Sequence, residues 1–166
     1  MALAPLQSFA DGTLSAGLLA AAVVLVTVVQ SLEFVDGYET RALTVLGEYR
    51  GLLEPGVHLV PPFVSGTRSF DMRAQSLDVA SATEGASATV SFTIEDAETA
   101  FLAADDYRAS LEAAAREGFE RAVGDRTPDQ LRAERDRLAD RLADELGEAA
   151  DEWGVRIDGV EIRIDD

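Results

Sequence analysis

Cysteine and lysine are both absent from this 166-residue chain, and histidine occurs once, at His58. Without cysteine there is no disulfide framework, thiolate zinc site, iron–sulfur cluster, cysteine nucleophile or palmitoylation site. Without lysine, all 14 basic side chains are arginine, set against 31 carboxylates for a net charge of −17. Nucleic acid is excluded as an expected partner, because phosphate binding needs clustered Lys and Arg. The chain is not a disordered polyanion either, since 47% of its residues are hydrophobic. An acidic surface free of lysine reads as halophilic: in molar salt the Debye length falls to about 3 Å, and screening removes the self-repulsion of such a charge.

Charge is also missing locally. From Gly12 to Leu32 the sequence GTLSAGLLAAAVVLVTVVQSL contains no charged residue. As a helix at about 1.5 Å per residue it would reach about 31 Å, enough for a hydrocarbon core of about 30 Å. It is apolar all round, so it reads as a transmembrane anchor rather than an interfacial helix. A cleaved signal peptide would want a basic n-region, and residues 1–11 carry only Asp11. Arg41 and Arg50 follow the segment while no Arg precedes it, so positive-inside counting places the following domain on the cytoplasmic side. Ala16/Ala20 and Gly17/Ala21 have the small-xxx-small spacing that lets helices approach in lipid. The expected organisation is a tail over 1–11, an anchor over 12–32 and one domain over 33–166.

After Phe34 the pattern becomes short alternating runs. Tyr38–Leu46 reads as a strand, Gly47–Gly51 as a turn before Leu52 and Leu53, and Pro55-Gly56 as a strong turn signal. Val57–Val60 is a strand stopped by Pro61-Pro62, and Arg68–Arg73 and Ser76–Val79 follow. The clearest alternation is Ala86, Ala88, Val90, Phe92 and Ile94, a sheet strand with one buried face. The period then turns helical. Asp96 caps a short helix to Ala104. Asp106 caps a second helix with the stripe Tyr107, Leu111, Ala114, Ala115, Phe119, Ala122 and Val123, ending at a left-handed Gly124. Thr127-Pro128-Asp129-Gln130 opens a third with a capping box. That helix buries Leu131, Leu138, Leu142, Leu146 and Ala149, carries pairs such as Arg141/Glu145, and ends at Trp153-Gly154. A bulge near Asp158-Gly159 would put Val155, Ile157, Val160, Ile162 and Ile164 on one face of the last strand. The expected class is α+β, with antiparallel strands and three packed helices ending in a strand.

The anchor, then GEYRGLLEPGVHLVPPF (47–63), FDMRAQSLDV (70–79) and TPDQLRAERDRLADRLADELGEAADEWGVRIDGVEI (127–162) resemble, in that order, the stomatin/prohibitin (SPFH, band 7) family. The matching landmarks are Pro55-Gly56, Pro62-Phe63, Asp71 and Arg73, Leu77-Asp78-Val79, and Trp153-Gly154 with Val160 and Ile162. Two features depart from the family pattern: the hairpin within SATEGASATVSFTIEDAETA is shorter, and no long coiled coil follows the last strand before Asp166.

No catalytic constellation is visible. His58 stands without a nucleophile or paired acid and reads as strand filler; no Walker A loop, G-x-S-x-G or dinucleotide glycine pattern occurs. Asp105-Asp106 and Asp165-Asp166 lack the glycine and distal Glu of a calcium loop, so no metal or cofactor is expected. The resemblance implies a non-enzymatic membrane scaffold that self-associates laterally and organises or regulates membrane proteins, membrane proteases among them. The alternative is a monomeric or dimeric tethered adaptor docking a single client. The residues expected to touch lipid or a neighbour are Leu52, Leu53, Val57, Leu59 and Phe63; Pro55, Gly56, Trp153 and Gly154 are expected to be structural.

Overall fold

The computed structural model describes residues 5–80, 85–103, 106–124 and 126–164, with side chains from residue 17 onward. The side chain of Ala16, residues 81–84, Ala104, Asp105 and Asp165-Asp166 lie outside what the structure describes. The chain opens with helix α1 (Pro5–Gln30). Among the described residues no helix is long and apolar enough to cross a membrane; of the expected span, side chains are described only from Gly17.

Seven strands follow: β1 (Leu32–Val35), β2 (Glu39–Val45), β3 (Glu48–Leu53), β4 (Gly56–Leu59), β5 (Ser65–Asp71), β6 (Gln75–Ala80) and β7 (Ala86–Ile94). Helices α2 (Ala97–Ala103), α3 (Tyr107–Val123) and α4 (Pro128–Asp151) come next, and β8 (Val155–Ile164) closes the described chain. All strand pairs are antiparallel and fall into three sheets, ordered β1-β4, β3-β2-β5 and β6-β7-β8. The α+β class is as expected.

The expected alternation of β7 is complete. Ala86, Ala88, Val90, Phe92 and Ile94 are all buried, and the serines and threonines between them are half-exposed. Its first four inward residues meet Leu111, Ala115 and Phe119 of α3 and Leu138, Leu142 and Leu146 of α4 in the larger core. Ile94 instead joins Ala42, Phe70, Ala97 and Ala100 in a smaller core between the middle sheet and α2. Tyr107 packs against both, its ring 6.1 Å from that of Phe70. In β8 the register slips between Ser91 and Phe92, whose partners are Gly159 and Ile157, so Asp158 is the extra residue of the expected bulge. Val155 and Ile162 are buried, and Ile157, Val160 and Ile164 pack on the same core.

The helix caps form as expected. Asp96 accepts from the amides of Glu98 and Thr99, Asp106 from Arg108 and Ala109, and Thr127 exchanges bonds with Gln130 in a capping box. Other expectations need correction. The turn after β2 is only Leu46-Gly47, both with positive φ (55° and 83°), so the chain from Glu48 is already strand; this two-residue turn matches the right-handed twist of the hairpin. Gly124 is right-handed (φ −52°), because its N–H continues the helical ladder to Glu120 O. Ala150 rather than Ala149 is the last buried residue of α4; Ala149 is half-buried. Glu145 pairs with Arg121 across the helix pair at 3.2 Å, not with Arg141 along α4.

Gly154 is where tertiary contact demands glycine. Its φ is +66°, a Cβ there would lie 2.4 Å from Asp96 O, and its carbonyl accepts from the amides of Glu95 and Asp96. Gly154→Ala should cost about 1–3 kcal/mol from strain alone, read as a lower urea midpoint; an unchanged midpoint would mean that this turn relaxes freely. Hydrogen bonds from Thr99 hold the Asp96 carboxyl below its ordinary pKa, and a bond from Thr93 does the same for Asp158. A depressed folded-state pKa contributes stability above the unfolded pKa and loses it as pH falls through the folded value. Acid titration should therefore lower stability from the ordinary carboxylate range downward, and Asp96→Asn, which keeps the cap acceptor, should make that slope shallower.

Candidate functional site

The sequence L-E-F-V of β1 alternates, and its pairing with β4 aligns the apolar positions: Leu32 opposite Leu59, and Phe34 opposite Val57. Residues directly opposite in an antiparallel pair share a face. One face of this two-stranded ribbon is therefore wholly apolar, yet all four side chains are exposed, Phe34 by 66% and Leu59 by 74%. Each such side chain would gain roughly 1.5–3 kcal/mol on full burial, a gain this fold leaves untaken.

The patch has a second part. Phe63, in the loop after β4, is 85% exposed, and Leu46, at the β2–β3 turn, is 78% exposed. The Leu46 amide donates to Val64 O at 2.7 Å, so the two loops lie side by side. Leu46 and Phe63 are also the two described non-glycine residues with positive φ. That conformation costs roughly 1–2 kcal/mol for an L-residue. The backbone is strained at the positions that present large apolar side chains to the outside.

The opposite face of the ribbon is tethered, by the carboxylate of Glu33 and by Val35, which is buried. Arg41 of β2 donates to Glu33 of β1 and, at 3.1 Å, to Glu39. Thr67 of β5 donates to the same Glu33 carboxylate at 3.2 Å. Glu33 thus fastens the ribbon to two strands of the middle sheet, and its hydrogen bond raises the pKa of Arg41 against the opposing effect of burial. The Arg41 Nε is buried without a partner. His58 sits across from Glu33, with its Nε2 donating to Glu54 O at 2.7 Å, which closes the turn at Pro55-Gly56. The ribbon joins α1 through Val60 N donating to Ser31 O, and Ser31 Oγ donating back to Thr27 O.

Of the residues expected to make contact, Val57 and Leu59 share the ribbon's apolar face, while Phe63 is exposed in the following loop, where it lines a cavity with Glu33 and Thr67. Leu52 packs instead against the smaller core, and Leu53, opposite Arg41, is half-buried. Pro55 and Gly56 carry the chain from the middle sheet to the ribbon, Gly56 with φ +146°. Trp153 packs on the larger core. Leu32, Phe34 and Leu46 went unread in the sequence. Leu32 merges into the uncharged run before it, and only the L-E-F-V alternation could have separated β1 from that run. Among the described residues no group of three or more His, Asp or Glu is disposed to hold a metal.

If Glu33 is the tether, Arg41→Ala should speed amide exchange over 32–35 and 56–59 while β7 keeps its protection; equal exchange in both proteins would show that the ribbon is held otherwise.

The family model described as "SPFH domain / Band 7 family" matches residues 35–164. An uncharacterized protein of Methanocaldococcus jannaschii is 27% identical over 149 residues, covering 85% of this chain and 75% of its own length. Stomatin-4 of Caenorhabditis elegans is 28% identical over 142 residues, 80% of this chain and 50% of that protein. A stomatin homolog of Pyrococcus horikoshii is 26% identical over 148 residues, 84% of this chain and 56% of that protein. The chain therefore spans about half the length of the stomatin relatives.

Proposed function

The chain belongs to the SPFH domain / Band 7 family, and on that premise we propose that it is a non-enzymatic, membrane-anchored scaffold that self-associates laterally and organises or regulates membrane proteins, a membrane protease among the candidates. The proposed division is a tail over 1–11, an anchor over 12–32 and the SPFH domain over 33–166, with the domain on the cytoplasmic side. A client-docking adaptor of one or two copies is the competing reading.

One observation carries the membrane reading. Leu18, Leu19, Val23, Val24, Leu25, Val26, Val28 and Val29 of α1 are all exposed, so the described apolar side chains of the helix are not buried against the domain. A helical stretch without charge from Gly12 onward, apolar on each described face, suits lipid better than water. It leads within two residues into the ribbon, whose apolar face and neighbouring Phe63 and Leu46 would lie at the bilayer surface beside it. An anchor also confines copies to two dimensions, which raises their effective concentration for lateral assembly. The halophilic reading of the charge fits this picture, since screening lets acidic domains crowd together.

The test is fractionation of the full chain in molar salt, with carbonate washing of membranes and light scattering after mild detergent extraction. The wild type should stay with the membrane and run as a discrete assembly of many subunits, and Leu59→Asp with Phe63→Asp should weaken one or both properties. A wash-released chain would overturn the anchor, and a monomer or dimer would favour the adaptor.

A further inference from the structure

Where α1 meets the ribbon and the start of β5, the structure leaves a cavity of about 220 Å³. Gln30, Glu33, Ser65 and Thr67 supply its polar lining, and Val60, Pro62 and Phe63 its apolar wall. Pockets for drug-sized molecules run to roughly 300–1,000 Å³, so this one takes something smaller. Its place follows from the chain: β1 begins two residues after α1 ends, so Glu33 stands beside the end of that helix. The segment after β4 folds back over the same point, fastened by Val60 N donating to Ser31 O and Ser65 Oγ donating to Pro61 O.

The lining is rich in acceptors. Arg41 and Thr67 both donate to Oε1 of Glu33, which leaves Oε2 without a partner among the described residues. The hydroxyl protons of Ser65 and Thr67 are committed to Pro61 O and Glu33, so each of these oxygens offers only lone pairs. The Gln30 side chain has no hydrogen-bond partner among the described residues and adds its carbonyl. The electrostatics run the same way. Glu33 and Glu39 share the single cation Arg41, which leaves this network with a negative charge in surplus. The C-terminal end of α1 adds the partial negative charge of its free carbonyls, and no basic side chain occupies its last turn. Phe63 stands at the rim, 85% exposed and held at φ +71°, and supplies an aromatic ring. Such a lining suits a small cation with several donors, which a primary ammonium is. This chain has no lysine, so that group comes from outside it.

We propose that this cavity binds the ammonium headgroup of an aminolipid, its N–H donors meeting Glu33, Ser65 and Thr67. The proposal rests on the membrane anchor proposed above, because a chain that leaves the bilayer near Gln30 holds the cavity at headgroup depth. It adds a preference among lipids, which apolar contact alone does not give. An anionic headgroup without an amine is disfavoured by the surplus negative charge, and a quaternary ammonium brings charge but no donor.

The test uses the full-length chain in mild detergent micelles at fixed molar potassium chloride. Phosphatidylethanolamine, phosphatidylcholine or phosphatidylglycerol is titrated in while amide exchange over 30–35 and 63–67 is followed. Phosphatidylethanolamine should slow exchange in both segments at a lower lipid content than the other two. Phe63→Leu should weaken that response about fivefold through loss of the cation–π contact. Glu33→Gln, which keeps an oxygen for Arg41 and Thr67, should weaken it about tenfold or more. Phe63 takes no part in the tether, so its variant tests the site even where Glu33→Gln loosens the ribbon. An equal response to all three lipids would overturn the site and leave only a general lipid-facing surface. A full response in Phe63→Leu would overturn the cavity's part in it, and equal protection by water-soluble ethanolamine would overturn a lipid as the occupant. The anchor is judged separately: release of the chain by carbonate removes the membrane reading, whereas a chain that stays in the membrane without a lipid preference removes only this site.

Discussion

Everything in the folded part of the molecule is built outward from β7. It is paired on both sides, by β6 and β8, and its inward face is apolar at every second residue from Ala86 to Ile94. Phe92 and its predecessors carry the larger core beneath α3 and α4, while the last residue, Ile94, reaches into the smaller core under α2. One strand thus serves two hydrophobic clusters. The turn at Gly154 then binds the ends of β7, α4 and the start of α2 together, through two amides donating to a single carbonyl. A side chain at that point would collide with backbone, which cannot swing aside as a flexible side chain would.

The ribbon contrasts with this arrangement. The side chains of its apolar face contribute to neither core, and its hold on the domain comes from the other face, through the buried Val35 and through Glu33 with Arg41 and Thr67. Ordinary folding would turn Phe34, Val57 and Leu59 inward. Here the face with Glu33 and Val35 is turned towards the protein and the apolar face away from it, and Leu46 and Phe63, with strained backbone, are exposed as well. That inversion leaves a gain from burial untaken, which is the reason for proposing a lipid surface at this end of the molecule.

Charge plays a smaller part in holding the fold than its abundance suggests. Arg50 with Glu48, Arg73 with Asp71 and Arg163 with Glu161 are exposed pairs two residues apart. Such pairs contribute roughly 0–1 kcal/mol each. The tertiary pairs Arg41–Glu33, Arg121–Glu145 and Arg156–Glu95 link different elements, but the last two are about half exposed. Stability rests on the two cores and the caps, and the surplus of carboxylates is left to solvent and salt.

Much of this was legible without coordinates, and the reason is locality. The burial of β7 follows from a period of two, the stripes of α3 and α4 from a period of 3.6, and the caps at Asp96, Asp106 and Thr127 from side chains that bond amides two or three residues away. The bulge at Asp158 followed from a change of parity within one strand. What only the tertiary structure decided depended on partners distant in sequence. Leu52 and Leu59 look alike along the chain, but pairing of β3 with β2 takes one into a core, and pairing of β4 with β1 leaves the other outside. Glu145 chose Arg121 over Arg141 because α3 lies within reach. The left-handed Leu46 and the crowding around Gly154 could not be read from neighbours either, since each is imposed by chain segments that meet only once the sheets and helices are assembled.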